Sequence, residues 1–260
     1  MDSSSHRYYH THDFNPIHLC DSYFSPKADG ALLEEAVINP LKFLLKEKAA
    51  GRIPGDTLTD FSIGPIVCHL LPICDRFKEI VILEFNDVCI SELEKWRNSH
   101  EEAYDWSHAS KALTDLEGKS GGWKEKEELL KQKIKQILKC DFTKENPTDP
   151  IVLPKADCVF CAWAIDIISP DKEAYIRNFR KVSSLLKPGG HLILFGNINH
   201  SFYFIGEHKY KILKYDEEFL KKNLKDEGYV IESYQANDRK TTSPLVDHEK
   251  IVFVNAIKKK

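Results

Sequence analysis

The sequence lacks an excess of charge of either sign. Its 260 residues carry 37 basic and 40 acidic side chains, which gives a formal net charge of −3. A chain balanced in this way has no general electrostatic attraction for the phosphates of a nucleic acid or for an anionic membrane surface. We therefore expect neither a nucleic-acid partner nor a membrane partner.

Long apolar runs and a basic leader followed by an apolar segment are also lacking. The apolar stretch from Cys158 to Ile168 is well short of the roughly 20 residues that a membrane-spanning helix needs. The chain starts with Met1, Asp2 and three serines, unlike a secretory signal. Because 42% of the residues are hydrophobic, a continuous core is possible and disorder of the whole chain is excluded. We expect a cytosolic protein and a monomer.

Cysteine and histidine are not grouped as a metal site requires. The seven cysteines, an odd number, fit reduced and packed thiols better than a disulfide framework. Cys158 and Cys161 form a C-x-x-C motif, but they lie in an apolar extended run, and no second pair of cysteines or histidines completes a ligand set. We expect no bound metal.

Helical and extended patterns alternate along the chain without an internal repeat, which is typical of an α/β fold. Strands are predicted at 57–61, 79–85, 156–165, 191–197, 229–236 and 250–257, the last two as an antiparallel hairpin. Helices are predicted at 29–48 (interrupted near Pro40), 66–74, 172–186 and 216–226, and another begins at 91–96. A further helix is predicted to carry Leu130, Ile134, Ile137 and Leu138 on one face, before a short strand end at 139–142.

Two strand ends carry residues suited to a nucleoside. Ligands of open α/β sheets bind at the carboxyl ends of the strands, where Asp60 and Glu84 lie 24 residues apart. A carboxylate there can accept from both hydroxyls of a ribose. Only Gly64 is available for a phosphate-binding turn, and Pro65 removes a backbone donor, so a dinucleotide fits poorly. S-adenosylmethionine fits this description, although glycines and acids also occur at strand ends for turn and capping reasons.

Several phrases resemble the small-molecule amine methyltransferases, the family that contains nicotinamide, indolethylamine and phenylethanolamine N-methyltransferases. The similarity covers nearly the whole chain, and L-L-K-P-G-G is common to many methyltransferases whereas the other phrases are more specific. The matching phrases are F-N-P at 14–16, F-K-E-I-V at 77–81, E-L-E-K-W at 92–96, D-W-S at 105–107, L-K-C-D at 138–141, A-D-C-V at 156–159, S-L-L-K-P-G-G at 184–190 and I-G-E at 205–207.

The resemblance implies a fold and a reaction. The fold is a single-domain, Rossmann-like class I methyltransferase, with a seven-stranded, mostly parallel sheet and helices on both faces. Residues 1–50 would form an N-terminal helical cap over a core of residues 51–260. The reaction is transfer of a methyl group from S-adenosylmethionine to the nitrogen of a small amine or a pyridine-like compound, which depends on holding the reactants in line in a dry cavity.

The resemblance also assigns site residues. It places the amino-acid end of the cofactor near Phe24 and Ser62–Gly64, its ribose on Glu84 and its adenine beside Asp141 and Phe142. Other interpretations stay open: Asp141 could serve a turn and Phe142 the core. Tyr23 and Phe24 could pin the N-terminal segment to the body as well as line the pocket, and Tyr203 could pack as well as line the substrate chamber.

The cofactor residues depart from the family's usual first-strand motif, D-x-G-x-G-P. Ser62 replaces a glycine, and a left-handed conformation there would cost roughly 1 to 2 kcal/mol. Ile63 replaces a small polar residue and could crowd the cofactor. Cys89 stands where an amide is common, and Ala162 where a hydroxyl is common.

The substrate side departs further. Leu19 stands where an aromatic residue is expected, and Gly196 where nicotinamide-type members carry a carboxylate. Loss of that carboxylate removes a group that would recognise an amide or an ammonium, so nicotinamide itself is a doubtful substrate. Asn197 and His200 are nearby replacements, as are His18 and Asn199.

Three hypotheses remain at this point. The first is an S-adenosylmethionine-dependent N-methyltransferase whose methyl acceptor, and any general base, the sequence does not identify. The second is a family member that kept the fold and lost the transfer, because of the substitutions at Ser62, Ile63, Cys89, Ala162 and Gly196. A nicotinamide-dinucleotide oxidoreductase is the third, and the lack of a glycine-rich turn disfavours it.

Overall fold

Residues 7–259, which the computed structural model of the chain describes, contain eight α-helices and nine strands. The helices are α1 (Pro16–Tyr23), α2 (Gly30–Leu33), α3 (Asn39–Ala49), α4 (Asp87–Arg97), α5 (Ser107–Leu116), α6 (Trp123–Lys133), α7 (Lys172–Ser184) and α8 (Glu217–Asp226). The strands are β1 (Thr57–Asp60), β2 (Glu79–Glu84), β3 (Ile134–Lys139), β4 (Ala156–Ala162), β5 (Leu186–Ile198), β6 (Phe202–Ile205), β7 (His208–Lys211), β8 (Tyr229–Asp238) and β9 (Lys250–Lys258). Within this range, none of the helices is both long enough and apolar enough to cross a membrane.

Seven strands form one sheet in the order β3-β2-β1-β4-β5-β9-β8. Neighbours from β3 to β5 pair in parallel, and β9 runs antiparallel to both β5 and β8. The predicted seven-stranded, mostly parallel sheet and its terminal hairpin are confirmed. β6 and β7 form a separate hairpin that the sequence analysis missed.

The strand order explains how helices come to cover both faces of the sheet. From β1 the chain moves outward in one direction to β2 and β3, and then returns to the other side of β1 to form β4 and β5. Connections between parallel strands are right-handed, so the two directions place their crossover helices on opposite faces. The order reverses between β1 and β4, and a ligand-binding crevice is expected at that point.

The helix at 29–48 is interrupted just before Pro40, as predicted. α2 passes through a π-helical turn, Glu34–Ile38, into α3, whose second residue is Pro40. Proline has no N–H to give to the carbonyl four residues earlier, which belongs to Ala36. His69 Nε2 lies 2.8 Å from that oxygen and donates to it. Burial lowers the pKa of His69 to about 4, so the ring is neutral at pH 7.

Phe43 anchors α3 on the sheet. Its ring is 1% exposed and stacks on Phe253 of β9, with the ring centroids 5.5 Å apart. It also meets Phe195 of β5 edge to face at 5.9 Å. Aromatic clusters of this kind combine a large buried area with favourable ring geometry. The helices that precede β1 are therefore packed onto the same core as the sheet.

The helix predicted at 66–74 is wrong. The structure has a series of turns here and a short 3-10 helix, Cys74–Arg76. Pro65 precedes the segment and Pro72 lies within it, so the backbone donors and space that a continuous helix needs are missing. The apolar residues that suggested a helix are still buried, because the turns fold them against the sheet.

The expected helical face at Leu130–Leu138 is also wrong beyond Lys133. α6 ends there, and Ile134, Ile137 and Leu138 belong to β3, which pairs with β2 at the edge of the sheet. Pairing with an open strand edge overrides the helical preference of the lysines and glutamines in this segment. The strand end predicted at 139–142 is in fact the last residue of β3 followed by a loop.

Replacing the anchoring ring tests the attachment of α3. Phe43→Ala should lower the free energy of unfolding by about 3 to 5 kcal/mol, because it leaves a cavity between α3 and two strands. Val152→Ala is the control, since Val152 is 84% exposed, and it should change stability by less than about 0.5 kcal/mol. Urea unfolding followed by circular dichroism measures both, and similar losses in the two variants would contradict this packing.

Candidate active site

Three strand ends meet where the strand order reverses. β1 ends at Asp60, β2 at Glu84 and β4 at Ala162. The segment after β1 stays against β4, since the Ile63 N–H donates to the Ala162 carbonyl at 2.9 Å. The structure thus brings the predicted first-strand turn, the second-strand acid and Ala162 together at one edge of the sheet.

Ser62 forms part of this connection without backbone strain. Its hydroxyl donates to Asp60 Oδ1 at 2.6 Å and accepts from the Ala162 N–H at 3.2 Å. Ser62 does not have a positive φ, whereas Gly64 has φ +68°. The left-handed position of the turn is therefore filled by its remaining glycine, and the strain considered for Ser62 does not arise.

Glu84 is almost fully buried and accepts three hydrogen bonds. Oε1 accepts from the N–H groups of Phe85 at 2.6 Å and Asn86 at 2.9 Å. Oε2 accepts from the hydroxyl of Tyr9 at 2.8 Å. Only 1% of the residue is exposed. The carboxylate oxygen expected to meet a ribose is thus engaged by a side chain of the N-terminal segment.

Tyr9 bridges the two strand ends. Besides donating to Glu84, its hydroxyl accepts from the Gly64 N–H at 2.7 Å and lies 3.6 Å from Cys89 Sγ. Asn86 Nδ2 holds the Tyr9 carbonyl at 3.0 Å. A hydroxyl that donates to a carboxylate and accepts from an N–H can be replaced, bond for bond, by a sugar hydroxyl. Tyr9 therefore occupies the place that the sequence analysis gave to the ribose.

Beyond Glu84, a groove of about 920 Å³ opens on the predicted adenine side. Asp141 and Phe142 line it together with Phe85. Phe142 also stacks on Phe61, with centroids 4.5 Å apart, and Asp141 Oδ1 accepts from the N–H and hydroxyl of Thr143. Both residues thus have the structural contacts considered as alternatives, and both remain accessible from the groove.

A small, mostly apolar cavity of about 70 Å³ adjoins the Ser62–Pro65 turn at Ile63. Six of the predicted site residues line it: Leu19, Tyr23, Phe24, Ile63, Asn197 and Tyr203. Tyr23 also pins α1 to β6, because its hydroxyl donates to the Phe204 carbonyl at 2.6 Å and accepts from the Phe204 N–H at 3.0 Å. The two roles considered for Tyr23 are compatible.

Gly196 cannot be replaced by an acid without rearrangement. A Cβ atom built there would lie 2.5 Å from the hydroxyl oxygen of Tyr215. That hydroxyl donates to Asp166 Oδ2 at 3.5 Å, inside the core. Tyr215 therefore fills the space in which a side chain at position 196 would begin, and the wall of the cavity is formed instead by the neighbouring Asn197.

Three residues at these sites were not found from the sequence. Trp163 directly follows β4, lines the cavity and has φ +52°, an uncommon conformation for a large side chain. The rule that ligands bind at strand ends could have identified it. Tyr9 and His248 are far from these strand ends in sequence, and no local pattern marks either of them.

Solved methyltransferase structures share this fold. An S-adenosylmethionine-dependent methyltransferase from Clostridium acetobutylicum has a TM-score of 0.55, covers 94% of this chain and 98% of its own, and is 16% identical. A magnesium protoporphyrin IX methyltransferase from Synechocystis, solved with bound SAM, has a TM-score of 0.56, covers 93% and 90%, and is 13% identical. These similarities establish the class: the chain has the class I methyltransferase fold.

Sequence comparison then gives the family. The NNMT/PNMT/TEMT family profile matches residues 4–259. Nicotinamide N-methyltransferase of Homo sapiens is 36% identical over 91% of this chain and 89% of its own. Indolethylamine N-methyltransferase of Oryctolagus cuniculus is 34% identical over 95% and 94%, and phenylethanolamine N-methyltransferase of Homo sapiens is 32% identical over 84% and 78%. The chain belongs to the NNMT/PNMT/TEMT family, which confirms the resemblance.

The buried carboxyls at the strand ends make stability depend on pH. Burial raises the pKa of Asp60 to about 7, against an opposing hydrogen bond from Ser62, and burial likewise raises the pKa of Glu84 to about 7. In an unfolded chain these groups titrate near pH 4. The folded state therefore binds their protons more tightly, and the stability this gives is complete below about pH 4 and lost as the pH rises through 7.

Replacing Asp60 by asparagine should remove the contribution of Asp60 to this dependence, while keeping the oxygen that accepts from Ser62. The melting temperature of Asp60→Asn, measured relative to that of the unmodified chain, should be higher at pH 8 than at pH 5 by roughly 5 °C. Glu173→Gln, at a side chain that is 89% exposed, should show no such change. Melting curves at the two pH values test this, and an equal shift at both would show that Asp60 is not protonated by burial.

Proposed function

We propose that this chain is an N-methyltransferase that transfers a methyl group from S-adenosylmethionine to the nitrogen of a small, flat amine or heteroaromatic compound. Membership of the family supports the reaction and the cofactor. One structural observation carries the assignment to particular residues. The Tyr9 hydroxyl, held between Glu84 and the Gly64 N–H, makes the bonds expected of a ribose hydroxyl.

The residues at the strand ends suit the cofactor once Tyr9 moves away. Glu84 would then accept from the ribose, and the Gly64 N–H, which donates to Tyr9 in this structure, would be free to donate beside it. A side chain at Gly64 would meet Leu19 Cδ2 at 2.5 Å, so only glycine leaves this backbone approachable. Asp141 and Phe142, which line the groove, would hold the adenine by a carboxylate contact and a ring contact.

When bound, S-adenosylmethionine supplies a methyl group on a sulfonium, and the thioether that remains after transfer is the leaving group. The residues of the chain then act by positioning the two reactants and by excluding water. Ile63 lies at the junction, because it belongs to the cofactor turn and also lines the cavity. Leu19, Phe24 and Trp163 make the remainder of the nearby wall largely apolar. A nitrogen lone pair in this cavity would be poorly solvated and therefore more nucleophilic.

The cavity supports a small and flat acceptor. It is about 70 Å³ in volume, and its aromatic walls favour a ring over a long chain. Tyr215 closes the space beside Gly196, so a carboxylate-based contact to an amide is not available at that position. We infer that nicotinamide is a poor substrate.

The comparisons give no support to the alternative in which transfer activity has been lost. Ser62 is unstrained and its side chain is satisfied by Asp60 and the end of β4. We further propose that the protein acts in the cytosol, as a monomer. The seven free, buried cysteines are compatible with a reducing compartment.

Glu84 is the residue on which cofactor binding should depend most. We expect S-adenosylhomocysteine to bind the unmodified chain in isothermal titration, and Glu84→Ala to weaken its affinity by about 10- to 100-fold, because a hydrogen bond to a charged group is lost. Glu79→Ala, at the exposed start of the same strand, should bind normally. Absence of binding by the unmodified chain would contradict the proposed function.

Tyr9 should compete with the cofactor for Glu84. Tyr9→Ala should therefore strengthen binding of S-adenosylhomocysteine by about tenfold, because the site no longer has to be vacated first. Tyr8→Ala, a change of the neighbouring ring on the same segment, should have little effect. Weaker binding by Tyr9→Ala alone would mean that Tyr9 helps to hold the cofactor, which contradicts competition.

A further inference from the structure

Four side chains that can form hydrogen bonds lie in the wall of the apolar cavity. Asn197, His200, Tyr203 and His248 all contribute to the wall there. Within residues 7–259, His200 Nε2, His248 Nδ1 and the Tyr203 hydroxyl have no hydrogen-bond partner although they are buried. Buried polar atoms are normally satisfied, so a group of unsatisfied ones in a cavity wall points to a ligand.

The proton on His200 can be assigned from its neighbours. The indole N–H of Trp163 can only donate, so the Asn197 atom 3.0 Å from it is the amide oxygen. The Asn197 amide nitrogen therefore donates to His200 Nδ1, also at 3.0 Å. Burial, followed by the proximity of His248, lowers the pKa of His200 and keeps the ring neutral. His200 thus carries its proton on Nε2 and presents a donor.

In His248 the ring nitrogen that has a partner is Nε2, and the partner is the carboxyl of Glu35. Glu35 is 2% exposed, and its Oε1 accepts from the N–H groups of Lys240 at 2.5 Å and Thr241 at 3.0 Å. Burial alone would raise the pKa of Glu35, but hydrogen bonds from His248 and from these N–H groups lower it overall, so the carboxyl is ionised. Its Oε2 lies 3.2 Å from His248 Nε2 and accepts from it.

In its neutral form, His248 then has a lone pair on Nδ1. A neutral imidazole that donates through Nε2 has no proton on Nδ1, and this atom has no partner elsewhere in the described part of the chain. The carboxylate fixes the tautomer and would stabilise the positive charge if Nδ1 took up a proton. A carboxylate, an imidazole and an unpartnered ring nitrogen, in a residue that lines the cavity, form the arrangement of a general base.

We propose that His248, oriented by Glu35, accepts the proton of a primary or secondary ammonium substrate, so that the natural acceptor is an aliphatic amine rather than a heteroaromatic nitrogen. The inference rests on the proposed methyltransferase function. Aliphatic amines titrate near pH 10 and arrive protonated, without the lone pair that methyl transfer requires. A pyridine-like nitrogen arrives with its lone pair free and needs no base.

The proton transfer is balanced within the site. One N–H bond of the ammonium breaks, its electron pair stays on the nitrogen, and the proton forms a bond to His248 Nδ1. The positive charge moves from the substrate to an imidazolium that faces the Glu35 carboxylate. The other charged or titratable groups near His248 are His200, whose ring centroid is 5.6 Å away, and, around His200, Asp247 and Arg239.

The test compares two acceptors that differ in whether a proton must be lost. 2-Phenylethylamine is the ammonium probe, and quinoline is the heteroaromatic probe. His248→Gln should lower kcat/KM for 2-phenylethylamine about 100-fold more than it lowers kcat/KM for quinoline. Glu35→Gln should act in the same direction, because an amide can donate to His248 Nε2 and move the ring proton to Nδ1. Melting curves confirm that each variant is folded.

The pH profile separates a base from a merely structural histidine. For the unmodified chain, kcat/KM with 2-phenylethylamine should fall as the pH is lowered, and this acid limb should be missing in His248→Gln. The proposal would be overturned if the variants lost kcat/KM equally for both acceptors or lost it for neither. It would also be overturned if the unmodified chain methylated quinoline but not 2-phenylethylamine.

A binding measurement keeps this inference separate from the proposed function. If the unmodified chain methylates neither probe, the proposed function fails, and the affinity for 2-phenylethylamine is then measured by isothermal titration at pH 5 and pH 8 with S-adenosylhomocysteine present. A base predicts binding about tenfold tighter at pH 8, with no such difference in His248→Gln. The same affinity at both pH values in the unmodified chain would overturn the role of His248.

Discussion

A carboxylate buried at the end of the second strand constrains the rest of the site. Removing a carboxyl group from water is costly unless hydrogen-bond partners surround it, and at Glu84 three donors do so. Two of them are backbone N–H groups fixed by the strand and the start of α4. The third position must be filled by whatever lies in the crevice, and in this structure it is filled by the hydroxyl of Tyr9.

This requirement connects the N-terminal segment to the proposed chemistry. Tyr9 satisfies Glu84 and Gly64 together, and the residues that follow it, His10 and Thr11, run along the wall of the adenine-side groove. The segment therefore lies across the space where a nucleoside would bind. A sugar hydroxyl could take over both hydrogen bonds without leaving a buried acceptor unpaired, which keeps the exchange between Tyr9 and a ligand close to balanced.

Much of the fold could be predicted from the sequence because local patterns and sheet topology agree. The apolar strands at 79–85 and 156–165 and the strand-end acids gave the parallel sheet and the position of its crevice. The secondary-structure predictions were wrong where tertiary packing determines the conformation of a segment. Pro72 breaks a run that is apolar enough for a helix, and Ile134 joins a strand edge despite its helix-forming neighbours. For the site, Glu84 and Gly64 could be found by position, whereas Tyr9, Glu35 and His248 meet only through long-range packing.

The two ends of the site thus follow different physical rules. At Glu84 the chain requires a hydrogen-bond donor. The cavity lined by Ile63 is mostly apolar, and His200 and His248 are among its few polar lining residues. Cofactor binding at this site requires that a ribose replaces Tyr9 at Glu84. A crystal structure with S-adenosylhomocysteine tests this most directly: it should show the ribose hydroxyls on the Glu84 carboxylate and the Tyr9 hydroxyl displaced from it. A structure with the nucleoside bound elsewhere and Tyr9 still joined to Glu84 would contradict it.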